Sequence, residues 1–134
     1  MEAVLVDTDV VSYQFKCDSR APLFDTHLAG KECLVSFVTV AELDRWALER
    51  DWGTAKQERL NRHLERFAVC YADRRLCRWW GEVHRRCKRQ GRPIAPNDAG
   101  IAATALSLDL PVVTNNPKDY AGVDGLRVLT STQT

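Results

Sequence analysis

Apolar residues in this chain follow two rhythms, and the switches between them set the predicted elements. Short unbroken apolar runs read as buried strands. The first covers residues 3–7, where Ala3-Val4-Leu5-Val6 is closed by Asp7. A second runs through residues 33–39, another through 110–114 and a last through 126–129, with a further short one at 67–71. Between them, spacings of three and four residues predict helices. Ala41 to Asp51 carries Leu43, Trp46, Ala47 and Arg50 near that spacing, and Gly53 breaks it. Ala55 to Phe67 places Leu60, Leu64 and Phe67 on one stripe, and Arg74 to Gln90 turns Leu76, Trp79, Trp80, Val83 and Cys87 inward. Gly91 ends that helix and Pro93 prevents its resumption. Asn97 and Asp98 open a helix to about Leu108, with Ile101, Ala105 and Leu108 on its face and Gly100, Ala102 and Ala103 allowing close packing. Thr8-Asp9 starts a turn or helix, Cys17 to Pro22 reads as a loop, and Pro22 opens a helix through Gly30. Strands alternating with helices predict an α/β fold with a mostly parallel central sheet covered on both faces. Neither a repeat nor a linker divides residues 1–134, so one domain is expected.

Composition narrows the class. No apolar run approaches the ~20 residues of a membrane span, and the N-terminus enters a strand directly without a signal-peptide pattern. The five cysteines are odd in number and none forms a C-x-x-C pair, which suits reduced thiols and a cytoplasmic location. The net charge of +1 conceals a strong asymmetry: residues 1–52 carry −5, residues 53–92 carry +8 and residues 93–134 carry −2. A basic middle beside acidic ends suits an anionic polymer drawn towards a metal site, although outward arginines on solvated helices produce the same count.

The acids then change the picture. In open α/β sheets ligands bind outside the carboxyl ends of the strands. Asp7 closes the first strand, Glu42 follows the second, Asp98 opens the Ala-rich helix, and Asp119 lies just past the 110–114 strand. Singly, each has an ordinary explanation. Asp7 starts a turn, Glu42 sits in a first helical turn favoured by the dipole, Asp98 is an N-cap and Asp119 a surface turn residue. Jointly, four acids at four junctions predict one cluster. Clustered carboxylates are costly to hold ionised unless a cation sits among them. Carboxylate oxygens suit Mg²⁺ or Mn²⁺ rather than Zn²⁺, and His27, His63 and His84 lack metal-ligand spacing.

No G-x-S-x-G elbow, Walker A loop or G-x-G-x-x-G is present. Val6-Asp7-Thr8-Asp9-Val10 resembles the acidic loop of haloacid-dehalogenase-like phosphatases, but only Lys118 is available as their helper lysine. A response-regulator receiver is a poor match, because Asp51 follows a helical run rather than a central strand.

The chain resembles the PIN-domain ribonucleases, in particular the VapC-type toxins of bacterial toxin–antitoxin pairs. The likeness runs from Val4 to about Leu129. It is carried by Leu5-Val6-Asp7-Thr8-Asp9-Val10-Val11-Ser12-Tyr13, by Ser36-Phe37-Val38-Thr39-Val40-Ala41-Glu42-Leu43, by Gly91-Arg92-Pro93-Ile94-Ala95-Pro96-Asn97-Asp98 with Ile101 to Ala105, and by Val112 to Tyr120. The resemblance implies a PIN-like three-layer α/β/α fold and a Mg²⁺- or Mn²⁺-dependent endoribonuclease leaving a 5′-phosphate and a 3′-hydroxyl. Asp7, Glu42 and Asp98 match the family's core acids, with Asp119 as the fourth. Thr8, Asp9, Thr114 and Asn116 are expected to support the ligands or their waters. Arg85, Arg86, Lys88, Arg89 and Arg92 are candidate RNA phosphate contacts. The family also implies a tRNA or rRNA substrate, a homodimer and a cognate antitoxin. The alternative is a PIN fold that holds RNA or a partner without cutting it.

Overall fold

The structure is a computed structural model that describes residues 2–131. Five strands form one sheet: β1 (Ala3–Val6), β2 (Glu32–Ser36), β3 (Ala68–Cys70), β4 (Val112–Val113) and β5 (Val128–Leu129). Their order is β3-β2-β1-β4-β5 and every neighbouring pair is parallel. β1 lies at the centre, with Leu5 paired to Leu34 on one side and Val112 on the other. Parallel neighbours require crossovers, and helices supply most of them. These are α1 (Thr8–Lys16), α2 (Asp25–Leu28), α3 (Phe37–Glu49), α4 (Thr54–Leu64), α5 (Arg74–Arg89) and α6 (Pro96–Leu108).

The two-residue period of β1 separates two cores. Val4 and Val6 pack with Val10, Val11, Phe24, Val35, Leu43 and Leu60 on one face. Leu5 packs with Val83, Cys87, Ala99, Ile101, Ala102 and Val112 on the other. Each such aliphatic side chain stabilises the fold by roughly 1.5–3 kcal/mol when fully buried. Helix α6 fits against α3 because residue 100 has no side chain: a Cβ there would stand 2.6 Å from Val38 Cγ2.

Three expectations from the sequence are corrected. The second strand ends at Ser36, and Phe37, Val38 and Thr39 already belong to α3. Ser36 turns the chain by capping that helix, its Oγ accepting from the Val38 amide at 3.2 Å. Glu42 therefore lies in the second turn of α3, where the helix dipole gives it little. The helix expected from Pro22 to Gly30 is a 3-10 turn (Ala21–Phe24) followed by the single turn of α2. The break falls at Phe24, whose ring is wholly buried. Finally, Trp80 and Leu108 are 42% and 45% exposed rather than inward. Leu108 ends its helix, and Trp80 stands at the N-terminal end of α6, where its indole bonds the carbonyl of the first residue, Pro96.

No helix among the described residues is long and apolar enough to cross a membrane. All five cysteines are free thiols.

Candidate active site

The parallel register brings the carboxyl ends of β1, β2 and β4 to one edge, and the N-terminus of α6 arrives beside them. Asp7 follows β1 as the N-cap of α1. Its Oδ1 accepts from the Thr8 amide at 2.7 Å, and its Oδ2 accepts from Thr114 Oγ1 and from the Tyr120 hydroxyl, each at 2.8 Å. Burial raises its pKa, the neighbouring Asp9 charge raises it further, and the bonds from Thr114, Tyr120 and Thr8 oppose both. Asp9, one residue into the same turn, accepts from the Val10 amide at 2.7 Å, the Asn115 amide at 3.0 Å and Asn116 Nδ2 at 2.9 Å. Its pKa is raised as well, again chiefly by burial. Thr114 Oγ1 lies 2.8 Å from Asp7 and 3.3 Å from Asp9. A hydroxyl has one proton, so the shorter contact to Asp7 takes it.

Glu42 is held at both oxygens. Thr8 Oγ1 donates to Oε1 at 2.8 Å and Asn97 Nδ2 to Oε2 at 3.1 Å. Thr8 has then used its proton, so the 2.9 Å contact between the Thr8 and Thr39 hydroxyls has Thr39 as donor.

Asp98 is different. Ala95, not Asp98, is the N-cap residue of α6, which removes the capping explanation. The half-buried Asp98 carboxylate makes no hydrogen bond or ion pair. Its pKa is pushed up to about 6, first by burial and then by the charges of Asp119, Glu42 and Asp9. Asp119 sits exposed in the 3-10 turn Pro117–Tyr120 after β4, directly before the buried Tyr120.

The four acids expected from the sequence therefore reach one edge together. The supporting residues divide their work: Thr8 serves Glu42, Thr114 serves Asp7, and Asn116 serves Asp9. Asp9 is itself a member of the cluster, close enough to raise the pKa of both Asp7 and Asp98. Sequence reasoning missed Tyr120, Asn97 and Asn115. Only their adjacency to Asp119, Asp98 and Thr114 hinted at them. The basic set behaves less uniformly than expected. Arg85 clasps Glu82 at 2.7 and 2.8 Å. Arg86 binds Glu82 at 3.1 Å and the Asp124 carbonyl at 2.6 Å. Lys88, Arg89 and Arg92 remain exposed and unpaired. The histidines stay out of the cluster: His27 bonds the Thr130 carbonyl and the buried His63 the Val11 carbonyl.

No ion pair reaches any of the five acids among the described residues. Nor are three His, Cys, Asp or Glu side chains there already drawn together tightly enough to hold a metal ion. The acids are near enough to shift one another's titration, yet they are not closed on one point. The donor set nonetheless fits a hard divalent cation. It offers oxygen atoms only, and Asp98 has a half-buried carboxylate that nothing in the chain satisfies. The exposed Asp119 carboxylate makes no hydrogen bond or ion pair that would hold it away from such an ion.

Residues 4–126 match the family model described as PIN domain. Over 129 residues the chain is 31% identical to Ribonuclease VapC1 of Haemophilus influenzae (strain R2866), covering 92% of this chain and 93% of that one. It is 34% identical over 98 residues to the tRNA(fMet)-specific endonuclease VapC of Shigella flexneri, covering 73% and 74% of the two. Among solved structures it resembles VapBC-5 from Mycobacterium tuberculosis, a member of the VapBC family of toxin-antitoxin systems. There the TM-score is 0.70, the identity 27%, and 98% of each chain is covered.

Proposed function

The chain belongs to the PIN-domain family, and from that premise we propose that it is a metal-dependent endoribonuclease acting as the toxin of a toxin–antitoxin pair. The observation that carries the reading is the carboxyl edge itself: five interacting acids, two of them, Asp98 and Asp119, without any donor, and no ion pair from the chain to any of the five among the described residues. A phosphodiester is repelled by such an edge as it stands, so a cation must come with the substrate or before it. The names of the similar ribonuclease and tRNA endonuclease support RNA as the substrate, with tRNA or rRNA the class to test. The toxin–antitoxin likeness supports a cognate antitoxin that blocks the edge, and a homodimer is the assembly proposed with it.

Asp7, Asp98, Glu42 and Asp119 would hold one or two Mg²⁺ or Mn²⁺ ions. When bound, such an ion lowers the pKa of water and balances charge on the scissile phosphate. The chain's own residues prepare the ligands. Thr114 and Tyr120 occupy both lone-pair directions of Asp7 Oδ2, and the Thr8 amide takes one of Oδ1, so Asp7 presents the remaining Oδ1 lone pair in a fixed direction. Thr8 and Asn97 orient Glu42 from two elements at once. Asp9, tied down by Asn115 and Asn116, adds negative charge behind the ligands without exposing both oxygens.

Purified chain should cut RNA with Mg²⁺ or Mn²⁺ and stop with EDTA, leaving 5′-phosphate ends. Asp98→Asn should be inactive while keeping its fold. Cleavage that persists in EDTA would contradict the proposal. Strong RNA binding without any cleavage would instead favour the non-catalytic PIN module.

A further inference from the structure

A hollow of about 410 Å³ opens between the second half of α1 and α4, lined by Phe15, Cys17, Arg59, Arg62, His63 and Arg66. Packing fixes its floor. The buried His63 donates from Nε2 to the Val11 carbonyl at 3.2 Å, which ties α4 to α1. The Phe15 ring stacks on Trp52 with centroids 5.7 Å apart and packs against His63 at 5.9 Å. Val11 is one helical turn from Asp7 and Phe15 about one turn further, so the hollow lies about 12 Å along α1 from the acids.

The rim is cationic. Arg59 stands over the Phe15 ring at 5.5 Å, and Arg62 and Arg66 are exposed. None of the three guanidinium groups makes a hydrogen bond or ion pair, although Glu58 and Glu65 are close in sequence. No acid lines the hollow among the described residues. Burial lowers the pKa of His63, the bond to Val11 opposes that, and the Arg66 charge lowers it further, so the positive field reaches the floor. Like charges gathered at one hollow repel one another, and an anion from outside relieves that. The other basic residues are arranged differently. Glu82 already neutralises Arg85 and Arg86. Arg74, Arg75 and Arg78 are without partners too, but they stand along α5 alone and share that surface with Glu82.

The choice of anion follows from the rest of the molecule. An acid edge repels a polyanion, so a chain that cuts RNA gains from a cationic surface elsewhere that holds the strand. Guanidinium forks match phosphate oxygens two at a time. We propose that Arg59, Arg62 and Arg66 bind backbone phosphates of the RNA at this hollow, away from the phosphodiester being cut, and hold the substrate against the repulsion of the acid edge. The proposal rests on the nuclease reading for its choice of ligand, and it moves the phosphate contacts from the end of α5 to the opposite face of the sheet.

The test measures binding, so it does not depend on cleavage. Full-length chain carrying Asp98→Asn is titrated with a tRNA transcript at several salt concentrations. Adding Arg59→Gln, Arg62→Gln and Arg66→Gln should reduce the salt slope of binding by about 2 and weaken affinity roughly 10- to 100-fold near about 0.1 M salt. The fold should be unchanged by circular dichroism, since all three side chains are exposed and unpaired. Arg74→Gln, Arg75→Gln and Arg78→Gln together remove the same charge from α5 and should cost clearly less. Cys17 is an exposed free thiol in the hollow, so tRNA should shield it from iodoacetamide in the parent and not in the α4 triple variant. An α4 triple variant that binds tRNA like its parent overturns the proposal. Losses as large in the α5 triple variant overturn it as well, because the RNA would then respond to net charge and not to the hollow. So does a hollow whose arginines bind a polyglutamate peptide while tRNA ignores them, which would make it a site for an acidic protein. The nuclease reading is judged separately on the chain without the Asp98 change. Arginine-dependent binding without cleavage would refute that reading alone, and tRNA cleavage at unchanged KM in the α4 triple variant would refute this one alone.

Discussion

The two edges of the sheet treat their charges in opposite ways. At the amino edge the charges pair: Lys31 reaches Glu2 at 3.5 Å, and Arg127 reaches Asp109 at 3.5 Å. Arg127 also donates to the Asp109 carbonyl at 2.8 Å. At the carboxyl edge hydroxyls and amides hold Asp7, Asp9 and Glu42, while Asp98 and Asp119 have no donor, and among the described residues no Lys or Arg forms an ion pair with any of the five; Arg20, near enough to feel the Asp9 charge, is clasped by Asp18. Both edges belong to the same five strands, so the sheet alone does not dictate the difference. The amino edge balances its charge within the chain. The carboxyl edge leaves an imbalance that only a cation from outside can relieve, and it orients the acids while it waits.

The largest test of that contrast is Asp98→Asn. Loss of an outer partner of a metal ligand costs about 10–100-fold, and loss of a half-buried carboxylate that has no partner in the chain should exceed that range in RNA cleavage rate. Circular dichroism should show an unchanged fold. Full activity in this variant would erase the distinction between the edges.

Tyr120→Phe probes the orienting shell and should fall within it: a loss of about 10–100-fold in metal affinity or rate, from freeing Asp7 Oδ2 on one side. A buried acceptor left short of a donor also costs about 1–3 kcal/mol of stability. A loss of stability with metal affinity intact would make Tyr120 a packing residue only.

The pH dependence of stability is a smaller effect with a definite sign. Burial raises the pKa of Asp7, Asp9 and Asp98 in the folded chain. A raised acid stabilises the fold fully below its unfolded pKa, and that contribution is lost as pH rises through the folded value. For Asp98 the window runs from 3.8 to about 6. Without metal, the melting temperature of wild type should therefore fall relative to Asp98→Asn as pH climbs through that window. The difference between the two proteins removes the opposing contribution of His63, whose burial lowers its pKa. Added Mg²⁺ should narrow the gap above pH ~6 by binding the folded wild type. Parallel melting curves across the window would mean that Asp98 carries no strain.

Smallest of all should be Lys31→Gln at the amino edge. An exposed or half-exposed pair contributes about 0–1 kcal/mol, so stability should move within that range and cleavage not at all.

Much of this architecture was legible because it rests on local rules. The Val-rich runs, the Gly91-Arg92-Pro93 stop and the Ala-rich helix each fix one element, and parallel connection then forces Asp7, Glu42, Asp98 and Asp119 to one edge. What was not legible is instructive. Phe37, Val38 and Thr39 continue the apolar pattern of β2, and β-branched residues favour strands. Only Ser36, a side chain able to cap, marks where the helix takes over. Trp80 keeps the same helical stripe as Leu76 and Val83, yet it stands at the N-terminal end of its neighbour α6, and helical spacing carries no information about where a neighbour begins. The bonds from Tyr120 to Asp7 and from Asn97 to Glu42 join elements far apart in sequence, and no periodicity encodes them. Arg85 and Arg86 looked free because the sequence shows Glu82 three and four residues away without showing the geometry of the clasp.

The most direct test of the central claim is a calorimetric titration of Mn²⁺ into metal-free wild type, Asp98→Asn and Lys31→Gln at about pH 7.5. The account predicts saturable binding by wild type and by Lys31→Gln, and binding at least tenfold weaker by Asp98→Asn. Equal affinity in all three, or none in any, would contradict a carboxyl edge built to take its cation from solution.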